Sequence, residues 1–533
     1  PEVYLIKRPE ELPALLPHVE RSNKLCYFDR QGNFLDPFYP SRTMRVLIDA
    51  VRSTLRIITD PTQTHQELAG EFWAYWEADI SCFLTTDQRN AVTGFYRRLD
   101  LNGDEQRELV ISADLSGIQH WCIRRNASLE EDQLGQAIII KMPEAPKLEA
   151  EVNWPPQTWG AFLDWLRCSH SKTEQQLLRA LLEVTKERSN ITIVLHSERG
   201  GPFGVRVELL PQVQEMLTRF RTKTRKGSNS PIQAKRMDSY RRLISNKQMV
   251  KQFFRLFVSD ASARFVYERN LRAPSLTNRK IALLGCGTIG SHAAQLLQKA
   301  GAGTGPRGLM DLFDGDSLYG GNLGRHLLGV EYLLESKGRS VADFLNKTSP
   351  SQTLIRGGDH FKVDNLKLIR DYDLIIDATG EETFSCLLSN EAQLLRRQKK
   401  HVPPLLHAWV DASGYAVRAL LDDGVGACYR CLKVQEQGME PGAVKERFEL
   451  FASKEDENSS SVVSHRCGES FIPFAAGISS ALAGMVQQMT LEVFTDDLGP
   501  RFRHQSYAQF IRRTRDHNPK RSKDCPCCSP RQT

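Results

Sequence analysis

Hydrophobic and polar positions follow two different patterns along the chain, and the change lies near Lys280. In the first half, strand-like segments such as ELVISADL, AIIIKMP and ITIVLHSE are mixed with the helix-like segment EQQLLRALLEVTKE in no regular order. In the second half, short apolar strands alternate with amphipathic helices. Such alternation favours a mostly parallel sheet with helices on both faces.

The alternating half predicts five strands: Ile281–Leu284, 309–314, 373–379, LLHAWV and YAVRALL. It also predicts a helix that follows the first strand and continues through Lys299, and another near 333–346. Close to the amino terminus, a polar hairpin-like stretch and the turn LDPFYP precede an amphipathic helix at Thr43–Arg56. We therefore expect an α/β protein in three parts, at 1–80, 81–262 and 263–533.

The composition of this 533-residue chain, with 40% hydrophobic and 25% charged residues, is typical of a globular protein. No run of about 18 apolar residues exists and no export signal is visible, so we expect a cytoplasmic protein without a membrane span. Much of the net charge of +7 lies between Arg219 and Arg242, which indicates a solvated linker or loop. Too few aromatic residues interleave these charges for a base-stacking surface, and nucleic-acid binding is not expected.

A glycine-rich turn, Gly285-Cys286-Gly287-Thr288-Ile289-Gly290, follows the first strand of the alternating half and opens a helix. Glycines let the backbone turn tightly and approach a phosphate, which the amino terminus of the helix then attracts. This turn alone suits a nicotinamide oxidoreductase as well as an enzyme that uses ATP.

The residues at the ends of the next strands distinguish the nicotinamide oxidoreductase from the enzyme that uses ATP. The next strand ends in Asp314-Gly315-Asp316, followed by Asn322-Leu323-Gly324-Arg325-His326 and then Lys337, and a later strand ends in Asp377-Ala378-Thr379-Gly380. The set offers a carboxylate for a ribose, cations for a polyphosphate and a carboxylate for Mg²⁺. Adenylation needs this set, because charge on phosphate oxygens must be neutralised while a carboxylate attacks the α-phosphorus.

The segments GCGTIGS, FDGDSLYGGNLGRH and DATG, with Lys337 between the last two, resemble the ThiF/MoeB/ubiquitin-activating superfamily over residues 265–533. The resemblance implies a Rossmann-like adenylation domain and a homodimer. It implies that ATP is contacted by the glycine turn, at Gly285, Gly287, Thr288 and Gly290. It assigns the ribose to Asp314, with Asp316 beside it, the phosphates to Asn322, Arg325 and Lys337, Mg²⁺ to Asp377, and the partner's ATP to Arg269.

Twelve cysteines in a chain without an export signal argue for metal binding or catalysis rather than for disulfides. Four of them form two C-x-x-C pairs, Cys428/Cys431 and Cys525/Cys528. Four thiolates suit a tetrahedral structural Zn²⁺ with no open position for chemistry, and the resemblance assigns these pairs the same role. Cys527, inside the second pair, competes as a ligand, and reduced buried thiols without metal are the alternative.

Cys467 ends the polar segment ASKEDENSSSVVSHRCGESF, beside His465 and Arg466 and just before a helix of small residues. Nearby cations and a helix amino terminus lower the pKa of a thiol and favour the thiolate. In ubiquitin-activating relatives, the crossover loop before such a helix carries the thioester-forming cysteine. The resemblance therefore assigns that role to Cys467.

The amino-terminal part, with Pro17-His18-Val19, then KLCY around Cys26, then LDPFYP and a helix, resembles the active-site segment of ubiquitin-conjugating enzymes. The resemblance makes Cys26 a second thioester cysteine. The asparagine that usually follows His-Pro is absent. Only 25 residues precede Cys26, so we expect a truncated conjugating-like domain at 1–80 whose start is missing, or an abbreviated one.

Conjugating-like and activating-like parts joined by a mixed α/β linker domain resemble the bacterial fusion proteins of CBASS antiphage operons, the CD-NTase-associated conjugating enzymes. The resemblance implies that ATP adenylates the C-terminal glycine carboxylate of a partner, a cyclic-oligonucleotide synthase. The acyl group then passes to Cys467, to Cys26 and to an amine of a protein target. Two alternatives stay open: a MoeB/ThiF-like sulphur-carrier adenylyltransferase, and a non-catalytic, zinc-stabilised scaffold that senses ATP.

Overall fold

The structure is a computed structural model of the chain. It describes residues 2–13, 15–20, 22–29, 34–68, 70–148, 154–184, 189–197, 200–213, 215–216, 231–361, 370–411, 414–435, 439, 443–451, 463–466, 469–471, 473–495 and 498–529. The chain forms two compact units, Pro1–Ser262 and Ala263–Thr533.

The first unit contains both helices and strands in its described residues. Its helices are α1 Pro40–Thr59, α2 Pro61–Leu68, α3 Phe72–Tyr75, α4 Leu115–Arg124, α5 Trp159–Ser169, α6 Ser171–Val184 and α7 Pro231–Ser245. Its strands are β1 Ile80–Leu84, β2 Asn90–Leu99, β3 Glu105–Ser112, β4 Ser128–Leu129, β5 Gly135–Met142, β6 Asn190–Ser197, β7 Gly201–Leu209 and β8 Val250–Asp260.

Seven of these strands close into a ring. Their order is β3-β1-β8-β7-β6-β5-β2, and β2 pairs back onto β3, while β4 adds to β2 outside the ring. The strands alternate inward and outward, so each has one face for the interior and one for the helices. Leu84, Phe95, Leu109 and Leu256 pack together on one face. The other face packs against α5 and α6 in the largest core of the unit.

The segment that carries Cys26 folds back on itself through isolated bridges, and side chains, among them one tyrosine, hold it to the helices that follow. Isolated bridges join Tyr4 to Lys24 and Val19 to Leu25. The hydroxyl of Tyr75, a buried residue of α3, lies 2.6 Å from the carbonyl oxygen of Leu16 and 2.5 Å from that of Val19. This phenol therefore fixes the turn that precedes Cys26.

The second unit is built around one sheet. Its helices are α8 Ala263–Glu268, α9 Thr288–Lys299, α10 Lys337–Thr348, α11 Glu382–Arg397 and α12 Ala476–Val493. Its strands are β9 Lys280–Leu284, β10 Leu309–Phe313, β11 Ile355–Gly358, β12 Leu374–Asp377, β13 Leu405–Asp411, β14 Ala416–Asp422, β15 Lys433–Val434, β16 Lys445–Glu446, β17 Val463–Arg466, β18 Glu469–Phe471 and β19 Phe502–Ser506.

The main sheet has the order β11-β10-β9-β12-β13-β14-β19. The first five strands are parallel and the last two pairings are antiparallel. The parallel strands are short and buried, as expected when helices cover both faces. The predicted α/β class and the mostly parallel sheet of the second unit are confirmed. The carboxyl ends of β9, β10 and β12 meet at one edge, where a doubly wound sheet places ligands.

Two details differ from the sequence-based expectations. The helix expected near 333–346 begins at Lys337, because the chain first makes a 3-10 turn at Val330–Tyr332. The basic stretch expected to be a solvated linker or loop is helical from Pro231 to Ser245. This helix docks through Arg241, whose guanidinium bonds Glu174 at 2.5 Å and Asp164 at 2.7 Å. None of the helices in the described ranges is long and apolar enough to cross a bilayer.

Replacing Tyr75 by Phe tests the attachment of the Cys26 segment. Tyr75→Phe removes the single phenol proton that two carbonyl oxygens share, at a cost of about 0.5–1.5 kcal/mol for the lost hydrogen bond. We expect faster amide hydrogen exchange in residues 16–26, and Tyr4→Phe is the matched control, because the Tyr4 hydroxyl bonds only the exposed Glu2 among the contacts described. Unchanged exchange in Tyr75→Phe would show that other contacts hold the segment.

Candidate functional site

The glycine turn after β9 is packed against the end of β12. Gly285 has φ +86°, and a Cβ at this position would lie 2.9 Å from backbone atoms of Ala378 and Thr379. A Cβ on Gly290 would lie 1.8 Å from the carbonyl oxygen of Gly285. Both positions therefore require glycine, the first for its conformation and both for close packing. By contrast, a Cβ on Gly287 would meet no atom within 4 Å, so the amino terminus of α9 has open space above it.

Asp314 at the end of β10 is tied directly to this turn. Its Oδ2 accepts a hydrogen bond of 2.7 Å from the backbone N–H of Cys286, and its Oδ1 accepts one of 2.8 Å from that of Asp316. Backbone donors thus fix the orientation of the carboxylate at the sheet edge. Cys286 itself is fully buried, and burial raises the pKa of its thiol well above the ordinary value, so it is no candidate nucleophile.

Lys337 is the first residue of α10 and is buried although it carries a charge. Its Nζ lies 3.0 Å from Oδ2 of the exposed Asp316, and its backbone N–H bonds the carbonyl of Asp316 at 2.9 Å. A buried ammonium needs such a partner. The pair places one cation and one carboxylate immediately beyond Asp314.

Residues 319–326 form a tight turn beside the glycine turn. Asn322 accepts a hydrogen bond of 2.9 Å from the N–H of Tyr319 through its side-chain oxygen. His326 is buried, its Nε2 lies 2.8 Å from the carbonyl oxygen of Cys286, and its Nδ1 accepts from the N–H of Leu328 at 3.1 Å. These bonds specify the neutral ring with its proton on Nε2, and burial keeps the pKa of His326 below its ordinary value.

Arg325 belongs to the same turn and directly precedes His326. Its carbonyl oxygen is 3.1 Å from Nε2 of His292 on α9, and its guanidinium lies 4.4 Å from the ring centroid of Phe474. Burial lowers the pKa of Arg325, which nonetheless remains a cation at any physiological pH. The guanidinium is therefore a half-buried positive charge over the ring of Phe474.

Asp377 ends β12 and is buried, with 2% of its surface exposed. Its Oδ1 accepts from the backbone N–H of Thr379 at 3.2 Å and from the Thr379 hydroxyl at 2.7 Å. Its Oδ2 accepts from the Ser385 hydroxyl at 2.5 Å and lies 2.8 Å from Nδ1 of His407. Burial acts to raise the pKa of Asp377, but these hydrogen bonds, above all that with His407, outweigh it, so the pKa lies below its ordinary value.

The structure thus brings most of the predicted nucleotide residues to one edge of the sheet. Asp314, the Arg325–His326 step and the turn after Asp377 all touch the backbone of Gly285 or Cys286 or a direct neighbour. Arg269 is not brought there by any contact of the described residues. It is exposed and lies over Phe265 of its own helix, at 5.2 Å from the ring centroid. Its assignment to a partner's ATP stays a prediction about a dimer.

The site also contains residues that the sequence did not single out. His407 and Ser385 both contact Asp377, one from the neighbouring strand β13 and one from helix α11. The histidine inside the apolar strand LLHAWV could have indicated this contact, because a polar side chain in a buried strand needs a buried hydrogen-bond partner. His326 was visible in the motif but had no assigned role.

The arrangement fits a nucleotide and a divalent cation. The open amino terminus of α9 suits a phosphate, and Arg325 and Lys337 add positive charges on segments that hydrogen bonds tie to α9 and to the glycine turn. Oδ1 of Asp377 is held by Thr379, which lies in the half-exposed turn, so a hard cation could replace the Thr379 hydroxyl at this oxygen. Oδ2 is enclosed by Ser385 and His407.

The four predicted metal ligands come together in the structure. The sulfur atoms of Cys428, Cys431, Cys525 and Cys528 all lie within 4.8 Å of one another, and all four residues are buried. Three of the Sγ–Sγ distances are 3.8, 3.7 and 3.3 Å. A tetrahedron with Zn–S bonds of about 2.3 Å has edges of about 3.8 Å, so the cluster fits zinc. Cys527 is buried beside the cluster, but its sulfur is not among the four.

The two predicted thioester cysteines differ in what can be described. Cys467 lies outside the described residues. Cys26 is exposed, and its backbone N–H bonds the carbonyl of His18 at 2.8 Å. The His18 ring is held by carboxylates, with Nδ1 at 3.1 Å from Glu71 and Nε2 at 3.7 Å from Glu67, and its pKa is raised, mainly by the hydrogen bond with Glu71.

Alanine at two glycines of the turn tests its close packing, because one position is crowded and the other is open. Gly290→Ala forces a Cβ against Gly285 and should destabilise the second unit by about 1–3 kcal/mol, as overpacking does. Gly287→Ala is the matched control and should keep the unit's melting temperature, because its Cβ meets open space. Differential scanning calorimetry of the two variants checks this, and equal melting temperatures would contradict the close packing.

Metal analysis tests the cysteine cluster. We expect about one zinc per chain by mass spectrometry, loss of that zinc in Cys428→Ser, and a melting temperature lower by roughly 5–10 °C, at about 2–4 °C per kcal/mol for a unit of this size. Cys168→Ser, which changes an exposed cysteine, is the control and should retain the metal. Full zinc content in Cys428→Ser would exclude that ligand.

Two family descriptions match the chain. The ThiF family matches residues 264–527, and the prokaryotic E2 family B matches residues 1–85. The first match covers the sheet, the glycine turn and three of the four clustered cysteines, and the second covers the segment with Cys26. The order of the two matches is the order expected from the sequence motifs.

Similar proteins extend over almost the whole chain. The ATP-dependent ubiquitin transferase-like protein Cap2 of Pseudomonas aeruginosa is 27% identical over 560 residues, covering 99% of this chain and 89% of that protein. Cap2 of Vibrio cholerae is 27% identical and covers 93% and 84%. The adenylyltransferase and sulfurtransferase uba4 of Aspergillus fumigatus is 29% identical over 156 residues, only 29% of this chain and 31% of that protein.

Among solved structures, the crystal structure of Escherichia coli MccB covers 57% of this chain and 82% of its own at 17% identity, with a TM-score of 0.36. The family and sequence matches, rather than this structural likeness, classify the protein. The chain is an adenylating enzyme and a homologue of the Cap2 proteins, in which a segment that matches prokaryotic E2 family B precedes a region that matches the ThiF family.

Proposed function

We propose that this protein uses ATP to activate the C-terminal glycine carboxylate of a partner protein, carries the acyl group as thioesters on Cys467 and then Cys26, and transfers it to an amine of a target. The single observation that supports this most is the convergence of Asp314, the Arg325–His326 step and the turn after Asp377 on one glycine turn. The homology with Cap2 over 99% of the chain supports the conjugating half.

In the first step, a carboxylate oxygen of the partner attacks the α-phosphorus of ATP. A new P–O bond forms, the bond to the β-phosphate breaks, and pyrophosphate leaves. Arg325 and Lys337 neutralise negative charge on the phosphates, Asp314 holds the ribose, and Asp377 Oδ1 is the oxygen that would hold Mg²⁺. The metal, when bound, supplies positive charge to the phosphate oxygens.

In the next steps, the thiolate of Cys467 attacks the acyl carbon and AMP leaves, so that a thioester replaces the mixed anhydride. The Cys26 thiolate then exchanges with this thioester. Finally an amine attacks the second thioester, an amide bond forms, and the Cys26 thiol is released. The exposure of Cys26 suits a residue that must meet both another thioester and a target amine.

The biological setting follows from the relatives. Because Cap2 is described as ubiquitin transferase-like, we infer that this chain conjugates a protein rather than a small molecule. The CBASS setting implies a cyclic-oligonucleotide synthase as the acylated partner, antiphage defence as the purpose, cytoplasmic action and a homodimeric enzyme. Zinc at the four cysteines is structural, because the closed tetrahedron leaves no position for substrate.

A sulphur-carrier adenylyltransferase is the second candidate, because uba4 is described as an adenylyltransferase and sulfurtransferase. That likeness is confined to less than a third of this chain, whereas Cap2 matches the chain throughout. A sulphur transferase would also have no use for the segment around Cys26. Conjugation therefore accounts for more of the molecule than sulphur transfer does. The residues that fit adenylation also favour conjugation over a scaffold that only senses ATP.

Pyrophosphate exchange and thioester trapping test this function. With the partner synthase present, Asp377→Asn should slow ATP–pyrophosphate exchange by about 10²–10³-fold, the usual cost of one such electrostatic contact. Cys467→Ala should keep exchange and lose both thioesters. Cys26→Ala should keep the thioester on Cys467 alone, as seen by mass spectrometry without reducing agent.

The control for the carboxylate is Asp343→Asn, which makes the same change at an exposed salt bridge with Lys347 and should leave exchange unchanged. A wild-type exchange rate in Asp377→Asn would contradict the assignment of that residue. A Cys26 that never carries an acyl group would instead favour the sulphur-carrier alternative.

A further inference from the structure

Asp377 and His407 are held together by the register of the sheet. Strands β12 and β13 are parallel neighbours, and Asp377 and His407 are partners in their register. Their side chains therefore lie on the same face. Both side chains are 1% exposed, and His407 Nδ1 is 2.8 Å from Asp377 Oδ2. Because both side chains are buried, the residues packed around this contact set its geometry.

Helix α11 lies across this pair and contacts both members. Ser385 bonds Asp377 Oδ2 at 2.5 Å, and Ser389, one turn later, lies 3.2 Å from His407 Nε2. Residues four apart share a helix face, so one helix face contacts both members of the register pair. Ser389 is fully buried.

Ser389 also contacts the backbone between the first two cysteines of the metal cluster. The backbone N–H of Tyr429, inside the first C-x-x-C pair, donates to Ser389 Oγ at 3.4 Å. The Tyr429 ring lies 4.9 Å from the His407 ring, centroid to centroid. At the far end of α11, Arg397 donates to the carbonyl of Cys527 at 2.7 Å, so the helix also contacts the second pair.

These contacts form a continuous chain of hydrogen bonds. Tyr429 N–H donates to Ser389 Oγ, the Ser389 hydroxyl pairs with His407 Nε2, and His407 Nδ1–H donates to Asp377. The proton on Nδ1 is expected because a carboxylate can only accept. Hydrogen bonds in such a chain polarise one another in a low-dielectric interior.

We propose that His407 is a positioning residue for Asp377 and that the cysteine cluster sets the position of His407 through Ser389 and Tyr429, so that zinc and nucleotide binding are coupled. The inference rests on the proposed function, in which Asp377 serves the nucleotide. Bound zinc would fix the backbone of Tyr429, because Cys428 and Cys431, which would hold the metal, flank this residue. The donor chain then holds Asp377 Oδ2, which leaves Oδ1 directed at the turn next to Gly285.

Coupled binding is reciprocal, so ATP must tighten zinc if zinc orders the ATP site. Zinc affinity is measured on the full-length chain, without any partner protein, by equilibrium competition with a chromogenic chelator. We expect ATP with Mg²⁺ to raise the zinc affinity of the wild-type chain about fivefold or more. In Ser389→Ala, which removes the central link and only one hydroxyl, the effect of ATP should fall below about twofold.

The matched control is Ser480→Ala, which removes an exposed serine hydroxyl from α12 and should keep the full effect of ATP. An equal effect of ATP in Ser389→Ala and wild type would overturn the coupling. ATP binding itself is followed by calorimetry. ATP that binds without changing zinc affinity overturns the coupling alone, whereas ATP that does not bind overturns the proposed function and the coupling with it.

Two substitutions at His407 test positioning separately. In His407→Asn, the amide nitrogen can replace Nδ1 as the donor to Asp377 but cannot reach Ser389. We expect ATP binding to be retained and the effect of ATP on zinc to be lost. His407→Leu removes both contacts and should weaken ATP binding about tenfold or more relative to His407→Asn. Equal ATP affinity in the two variants would show that His407 does not position the carboxylate.

Discussion

A carboxylate that is removed from water must accept hydrogen bonds from the protein, or its desolvation would destabilise the fold. Asp377 meets this requirement with donors from three places: the turn that follows it, helix α11 and strand β13. The turn that follows Asp377, at Ala378 and Thr379, packs against Gly285. The same interaction therefore holds together a strand pair, a helix and the turn that packs on Gly285, and the geometry of the site depends on it.

The rest of the site follows from the parallel sheet. Carboxyl ends of parallel strands meet at one edge, and there the chain places short polar turns instead of long loops. Asp314 is oriented by backbone N–H groups and Lys337 by a neighbouring carboxylate. Groups held in this way need little reorganisation when charge develops on a phosphate, which is the condition for electrostatic stabilisation.

The two units divide the proposed chemistry between a fixed site and an accessible thiol. In the second unit, the proposed nucleotide residues Asp314, Lys337 and Asp377 are buried or held by hydrogen bonds. In the first unit, Cys26 is exposed, and His18, whose carbonyl accepts from the Cys26 N–H, is held by carboxylates. Activation requires exclusion of water and fixed charges, whereas transfer requires access to a partner thiol and an amine.

The sequence by itself determined the features that are local. Gly285, Gly287 and Gly290 identified the turn, the alternating strands identified the secondary structure, and the spacing within each C-x-x-C pair identified the candidate metal ligands, because each depends on residues close together along the chain. Only the tertiary structure decided the closure of the strand ring by β2 and β3 and the meeting of His407 with Asp377 and of Ser389 with Tyr429. Those pairings join residues far apart in sequence, and the register of strands and the rotation of a helix, which set them, arise from packing of the whole core.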